Sequence, residues 1–174
     1  LNVFTCVFTP RQLPPQILTI SCSEVAKRFS AFDASVIGVD ITDDDRKYFD
    51  KVELLDNLDE QLKIADIVIL TLPLTDSTRG MFDKSKFDLM KKSSIFVNIA
   101  RGPLVVESDL INSLKSDDIS GAVLDVFGEE PLNENSPLWD MDNVILTPHN
   151  SFVGENNNKR MFNVIVNNLE KRNE

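Results

Sequence analysis

Arg101, Asp125, Glu130 and His149 each follow a short run of apolar residues. The runs are 95–97, 122–124 and 144–146. A guanidinium binds carboxylate and carbonyl oxygens through a planar fork, and an imidazole exchanges a proton near neutral pH. Short apolar runs separated by longer segments are typical of buried parallel strands, whose C-terminal ends meet at one edge of a sheet. The sequence therefore predicts that these four side chains gather in one crevice.

Each of these side chains also has an ordinary structural explanation. Taken alone, Arg101 is explained by a surface salt bridge, Asp125 by a loop cap and His149 by a structural histidine at a strand end. The combination favours chemistry, because an acid–base group and a cation suited to an oxyanion fall at the same edge. A carboxylate beside the imidazole, either Glu129 or Glu130, would favour the charged imidazolium.

A further acidic residue, Asp40, closes the apolar run 35–39. In a doubly wound fold, a carboxylate at this point accepts hydrogen bonds from the ribose hydroxyls of an adenine dinucleotide. It also repels a 2′-phosphate, and this favours NAD over NADP. The alternative is a turn or helix-cap aspartate, and position alone does not separate the two interpretations.

Apolar runs alternate with amphipathic helical patterns along most of the chain, which predicts an α/β fold with a doubly wound parallel sheet, Rossmann-like. Strands are predicted at 35–39, 66–71, 94–98, 120–125 and 143–147, and helices at 23–29, 55–64, 84–90, 107–115 and 156–170. The first 21 residues are less regular. Residues 16–20 are interpreted as a strand, because Ile17, Thr19 and Ile20 favour a pleated surface.

Composition narrows the class of protein. The net charge of −10 argues against nucleic acid or an anionic membrane surface as a partner. The two cysteines, Cys6 and Cys22, lack metal-ligand spacing, and no apolar run is long enough to span a membrane. We therefore expect a cytoplasmic protein without a metal site. The sequence also lacks a G-x-S-x-G elbow and a P-loop, so neither an acyl-transfer nucleophile nor a nucleoside triphosphatase is indicated.

Four ordered motifs resemble those of the D-isomer-specific 2-hydroxyacid dehydrogenases, the family that includes phosphoglycerate dehydrogenase and glyoxylate/hydroxypyruvate reductase. The motifs are TLPLTDSTRGMF at 71–82, VNIARGPLV at 97–105, AVLDVFGEEPL at 122–132 and SPLWDMDNVILTPHNS at 136–151. The resemblance extends over about residues 24–169. It implies hydride transfer between NAD(H) and a small 2-keto or 2-hydroxy acid.

The resemblance also implies roles for individual residues. Arg101 matches the arginine that binds the substrate carboxylate and carbonyl, and His149 matches the acid–base group. The glutamate paired with it maps to Glu130 rather than Glu129. Asp125 matches the aspartate near the nicotinamide carboxamide. Further cofactor-binding positions implied by the family are Asp40, Thr71, Leu72, Pro73, Thr78, Ile99 and Ala100.

Two departures from the family pattern stand out. The three glycine positions of the family's G-x-G-x-x-G turn hold Ile17, Thr19 and Cys22, whose side chains would keep the backbone away from a pyrophosphate. In addition, the family's substrate domain is expected to be largely absent, and the leucine at position 1 suggests a truncated N-terminus. The predicted organisation is an atypical segment at 1–21, an NAD-binding domain at 22–152 and a C-terminal helix at 153–174.

The sequence thus predicts an oxidoreductase-family domain. The alternative is a catalytically inactive, truncated remnant, or an NAD-binding or interaction module. The helix at the C-terminus would pack on the missing domain, so its apolar stripe is expected to be exposed and to favour self-association, such as a homodimer.

Overall fold

The structure is a computed structural model and describes residues 2–6, 19–150, 154 and 156–170. Within these residues, parallel strands form one seven-stranded sheet. The strands are β1 Asn2–Cys6, β2 Ser35–Asp40, β3 Lys51–Leu54, β4 Ile67–Leu70, β5 Ile95–Asn98, β6 Gly121–Leu124 and β7 Val144–Leu146. The helices are α1 Thr19–Ser30, α2 Leu58–Ile64, α3 Lys84–Phe87, α4 Glu107–Lys115 and α5 Asn157–Glu170.

The strand order is β3-β2-β1-β4-β5-β6-β7, so the direction of winding reverses between β1 and β4. In open α/β sheets, ligands bind outside the carboxyl ends of the strands at such a reversal point. The predicted doubly wound, Rossmann-like sheet is confirmed. The reversal also places the ends of β2, β4, β5 and β6 along the edge where the candidate residues lie.

Both faces of the sheet are covered, and β4 shows how the sequence achieves this. Val68 and Leu70 belong to the larger core cluster, whereas Ile69 between them packs with Val25 and Phe29 of α1 on the other face. Side chains of a strand alternate between the two faces, so a continuous apolar run is needed where both are buried.

The larger core contains three phenylalanines that pack ring against ring. Phe96 of β5 lies 5.2 Å from Phe87 and 5.4 Å from Phe82, measured between ring centroids. All three rings are fully buried. They fix the position of β5, and therefore of the loop that carries Arg101.

The start of the chain differs from the sequence prediction. The predicted strand at 16–20 is wrong for Thr19 and Ile20, which begin α1; residues 16–18, including Ile17, lie outside the described residues. Burial decides the outcome, because Cys22 and Ala26, four residues apart, face the sheet and are almost fully buried. β-branched residues alone do not distinguish a strand from a buried helix.

The first strand was not predicted. β1 pairs with both β2 and β4 and lies inside the sheet, so the folded unit includes residues ahead of the predicted boundary at residue 22. At the other end, α5 leaves Met161, Phe162 and Ile165 more than half exposed. No helix in the described part of the chain is both long and apolar enough to cross a membrane.

Candidate active site

The turn after β7 carries the imidazole of His149 to the carboxylate of Glu130. Nδ1 of His149 lies 2.7 Å from Oε2 of Glu130. The other oxygen of this carboxylate, Oε1, accepts a hydrogen bond of 3.0 Å from the N–H of Phe127. The glutamate is therefore fixed from both sides, and its partner is Glu130 rather than Glu129, as the family resemblance implied.

The charge state of Glu130 follows from these contacts. The hydrogen bond with His149 is the main reason why the pKa of Glu130 lies below its usual value. The N–H of Phe127 and the charge of Arg101 lower the pKa further, and burial opposes them. The pair thus combines an ionised carboxylate with an imidazole that can donate from Nδ1.

Arg101 lies on a tight loop after β5, and Asn98 holds this loop in place. The Asn98 side chain donates to the carbonyl oxygen of Arg101 (3.0 Å) and accepts from the N–H of Ala100 (3.1 Å). The next residue, Gly102, lies so close to the loop after β6 that a Cβ built on it would be 1.8 Å from the carbonyl oxygen of Phe127. The exposed guanidinium of Arg101, bonded through Nη1 to the carbonyl oxygen of Ala100 (2.6 Å), is thereby presented at the sheet edge.

Asp125 follows β6 directly and is buried. Its Oδ1 accepts hydrogen bonds from the hydroxyl of Thr147 (2.5 Å) and from the N–H of Asn150 (3.1 Å). Its own N–H donates to the carbonyl oxygen of Asn98 (3.0 Å). Asp125 therefore connects the loop that carries Arg101 with the turn that carries His149.

The other predicted cofactor positions lie just beyond the C-terminal ends of β4 and β5. Thr71, Leu72 and Ala100 are buried, whereas Pro73 and Ile99 are half-buried. Thr78 is buried as well, and its hydroxyl donates to the carbonyl oxygen of Pro73 (2.8 Å). In this structure the Thr78 side chain closes the loop after β4.

The predicted ribose-binding acid, Asp40, ends β2 but is fully buried. Its Oδ2 forms a salt bridge of 2.5 Å with Nη2 of Arg46, and Oδ1 accepts from the N–H of Ile41 at 2.6 Å. Arg46 was not predicted, since an arginine after an acidic run is usually a solvated surface charge. Arg46 therefore competes with a ribose for this carboxylate.

The family resemblance implies that Cys22 takes the third position of the glycine motif. It lies in the first turns of α1, and its Sγ is 2.9 Å from Oγ1 of Thr71, just beyond β4. Burial raises the pKa of this thiol, so it is a packed, protonated group at neutral pH. Its side chain fills the close contact between helix and strand that a glycine would leave open.

A cavity of about 370 Å³ opens beside the acid–base pair. Its walls are mostly apolar, and Glu130 and His149 are its ionisable members. The lining residues are Phe127, Glu130, Pro131, Leu132, Trp139, Leu146, Thr147, Pro148 and His149. In the described part of the chain, no group of three or more His, Cys, Asp or Glu side chains is arranged to hold a metal ion.

The sheet and the polar residues at its reversal edge define a dinucleotide-binding α/β domain. A family model, described as the NAD-binding domain of D-isomer specific 2-hydroxyacid dehydrogenases, matches residues 21–151. The chain therefore belongs to this family.

Relatives in the family are enzymes with longer chains. The chain is 39% identical to D-3-phosphoglycerate dehydrogenase of Methanocaldococcus jannaschii over 155 residues, which are 85% of this chain and 28% of the relative. It is 50% identical to glyoxylate/hydroxypyruvate reductase B of Escherichia coli over 93 residues, 53% of this chain and 29% of the relative. The chain thus spans about a third of the length of the curated relatives it matches.

Solved structures of the family show the same fold over nearly the whole of this chain. A D-isomer specific 2-hydroxyacid dehydrogenase from Lactobacillus delbrueckii, in its NAD-complexed form, superposes with a TM-score of 0.79 and 31% identity. That match covers 97% of this chain and 51% of the other. An NADPH-dependent glyoxylate/hydroxypyruvate reductase from Sinorhizobium meliloti, in complex with NADP and sulfate, superposes with a TM-score of 0.82 and 27% identity, covering 98% and 52%.

Proposed function

We propose that this chain binds NAD(H) at the carboxyl edge of its sheet and contributes the catalytic side chains of a D-2-hydroxyacid dehydrogenase. The observation that supports this most strongly is the contact between Nδ1 of His149 and Oε2 of Glu130, with Arg101 close enough to lower the pKa of the same carboxylate. An acid–base group, its carboxylate partner and a cation thus lie at the edge where dinucleotides bind in this fold.

The residues at the β5 and β6 ends fit a nicotinamide. Ile99 and Ala100 precede Arg101 in the loop after β5 and would contact the nicotinamide ring. The buried carboxylate of Asp125 is a suitable acceptor for a carboxamide N–H. The loop after β4, Thr71 to Thr78, would line the remainder of the cofactor. When bound, NADH supplies a hydride for the carbonyl carbon of a 2-keto acid.

The side chains of this chain would do the remaining work. Arg101 offers a guanidinium fork to the substrate carboxylate and carbonyl oxygen, where negative charge develops during reduction. His149, oriented through Nδ1 by Glu130, would act as the imidazolium, with one proton on Nδ1 and a second on Nε2 that passes to this oxygen. The hydrogen bond between Nδ1 and Glu130 leaves Nε2 as the nitrogen for this transfer. The substrate class is a small 2-keto or 2-hydroxy acid.

The adenosine end fits less well than the nicotinamide end. Asp40 is buried against Arg46, and Cys22 puts a side chain at the position where the family's third glycine allows close packing of the helix on the strand. These two contacts favour a second candidate function, that of a domain which retains the fold and binds cofactor weakly or acts as an interaction module without turnover.

Three further points complete the proposal. The exposed apolar residues of α5, which include Phe162 and Ile165, support self-association as a homodimer. The net charge of −10 supports a partner set without nucleic acid. A cytoplasmic location is supported by membership of a family whose matching model is an NAD-binding domain.

Isothermal titration of NADH into the chain tests the proposal directly. We expect saturable heat below millimolar NADH, because the nicotinamide end is formed. The absence of heat at millimolar NADH, with the chain shown to be folded by circular dichroism, would contradict cofactor binding and favour the interaction module.

A further inference from the structure

The backbone of His149 has an unusual conformation. Its φ angle is +51°, in the left-handed region that residues other than glycine rarely adopt. The N–H of His149 donates to the carbonyl oxygen of Thr147 (3.0 Å), which closes a tight turn directly after β7. A residue in this region carries strain unless the surrounding contacts determine its conformation.

The contacts that determine it come from Asp125. Oδ1 of this buried carboxylate accepts from the Thr147 hydroxyl, two residues before the histidine, and from the Asn150 N–H, one residue after it. His149 is therefore held on both sides by a single oxygen atom. Hydrogen bonds to a carboxylate are among the stronger ones in proteins, so together they can offset the cost of one left-handed residue.

The partner of the imidazole is anchored to the same strand end. The N–H of Phe127, two residues after Asp125, donates to Oε1 of Glu130 and leaves Oε2 to face Nδ1 of His149. The end of β6 thus places both members of the pair, the glutamate through a backbone N–H and the histidine through the Asp125 side chain.

We propose that Asp125 is the positioning residue of the acid–base pair: by bonding Thr147 and Asn150, it holds His149 in the left-handed turn that brings the imidazole to Glu130. This role is additional to the contact with a carboxamide that the family resemblance implies. Its catalytic meaning rests on the proposed function, but the geometry it describes exists without cofactor or substrate.

His149 is the only histidine in the chain, so its imidazole can be observed without ambiguity. With histidine labelled by nitrogen-15, long-range proton–nitrogen spectra recorded at a pH where the ring is neutral report which ring nitrogen carries the proton. For the native chain we expect a single tautomer protonated at Nδ1, and a strong nuclear Overhauser effect between the amide and α protons of His149, which a positive φ brings close together. Asp125→Ala should lose both features and give the tautomer mixture of a flexible histidine, whereas Asp125→Asn keeps an acceptor oxygen for the Thr147 hydroxyl and the Asn150 N–H and should lose them to a smaller extent.

Two further variants keep the test decisive. Thr147→Val removes one donor and leaves the carboxylate, so it should shift the tautomer in the same direction to a smaller extent, even where Asp125→Ala fails to fold. Asp140→Asn changes the charge equally at an exposed position, and its spectra should match those of the native chain.

The result that overturns the inference is an unchanged His149 tautomer and an unchanged nuclear Overhauser effect in folded Asp125→Ala and Thr147→Val chains. NADH titration of the same variants separates this inference from the proposed function. Lost NADH binding with an unchanged imidazole would show that Asp125 acts only on the carboxamide. Failure of the native chain to bind NADH would refute the proposed function and leave the positioning result as measured.

Discussion

His149 and Glu130 lie 19 residues apart in sequence, yet Nδ1 of the first is 2.7 Å from Oε2 of the second. Two features of β6 explain this proximity. Its pairing with β7 places the turn of His149 beside the loop that follows β6, and the N–H of Phe127 orients the Glu130 carboxylate towards it. The pair therefore depends on the sheet register as much as on the two side chains.

This contact predicts a pH-dependent contribution to stability. Because the pKa of Glu130 in the folded chain is below its usual value of 4.5, the contribution is present above that pH and is lost as pH falls through the lowered pKa. Urea unfolding should show that Glu130→Gln costs less than about 1 kcal/mol near pH 6, since the pair is more than a third exposed. The cost should shrink towards pH 3.

Glu129→Gln, which removes the neighbouring exposed carboxylate, is the matched control for this measurement. A cost for Glu130→Gln that stays constant between pH 6 and pH 3 would contradict the assignment.

Gly102 allows a second prediction, about the loop that presents Arg101. In Gly102→Ala, the new Cβ would lie 1.8 Å from the Phe127 carbonyl oxygen, so the loops that follow β5 and β6 must move apart. We expect a loss of about 3 kcal/mol in the free energy of unfolding. Gly128→Ala is the control, because its new Cβ would meet only a Glu107 side-chain oxygen at 3.6 Å and should cost at most about 0.5 kcal/mol. Equal costs for the two variants would refute the close contact.

The part of the site that could be predicted from the sequence consists of residues that directly follow strands. Arg101, Asp125 and His149 each follow an apolar run that forms a parallel strand, so their common edge follows from the strand pattern alone, although Ile145 in the run before His149 is 62% exposed. The assignment to Glu130 rather than Glu129 rested on the family motif.

Other features depend on contacts that sequence patterns do not specify. β1 was missed because the run is short and proline-rich sequence follows it, and β3 because Lys51–Leu54 alternates polar and apolar residues over only four positions. The salt bridge of Arg46 with the buried Asp40 depends on the path of the loop after β2. The positive φ of His149 has no signal in residue type, and only the Thr147 hydroxyl two positions earlier hints at a turn.

The salt bridge between Arg46 and Asp40 allows a third prediction. In Arg46→Gln, Asp40 keeps a hydrogen-bond donor nearby but loses the competing charge, so its carboxylate becomes available to a ribose. Titration with ADP-ribose should show about tenfold tighter binding, equivalent to about 1.4 kcal/mol, together with a lower melting temperature. Lys47→Gln, an equal change in charge at the adjacent exposed position, should leave the affinity for ADP-ribose unchanged. Unaltered ADP-ribose binding in Arg46→Gln would show that Asp40 is not a ribose site.

Restoring the glycine motif tests the pyrophosphate end. The triple variant Ile17→Gly, Thr19→Gly, Cys22→Gly removes the side chains at the three glycine positions, including the Cys22 thiol that contacts Thr71. We expect tighter NADH binding by calorimetry and a loss of at least about 1 kcal/mol in stability, because glycine replaces helical residues of α1. Unchanged NADH affinity would mean that the alignment onto the motif is wrong.

The central claim is that a nicotinamide binds at the edge that joins Arg101, Asp125 and His149. Mapping amide chemical-shift changes while NADH is added to the nitrogen-15-labelled chain tests it most directly. We expect the largest changes on 98–101, 125–127 and 147–150, together with the imidazole of His149. Changes confined to other surfaces, or none at millimolar NADH, would contradict it.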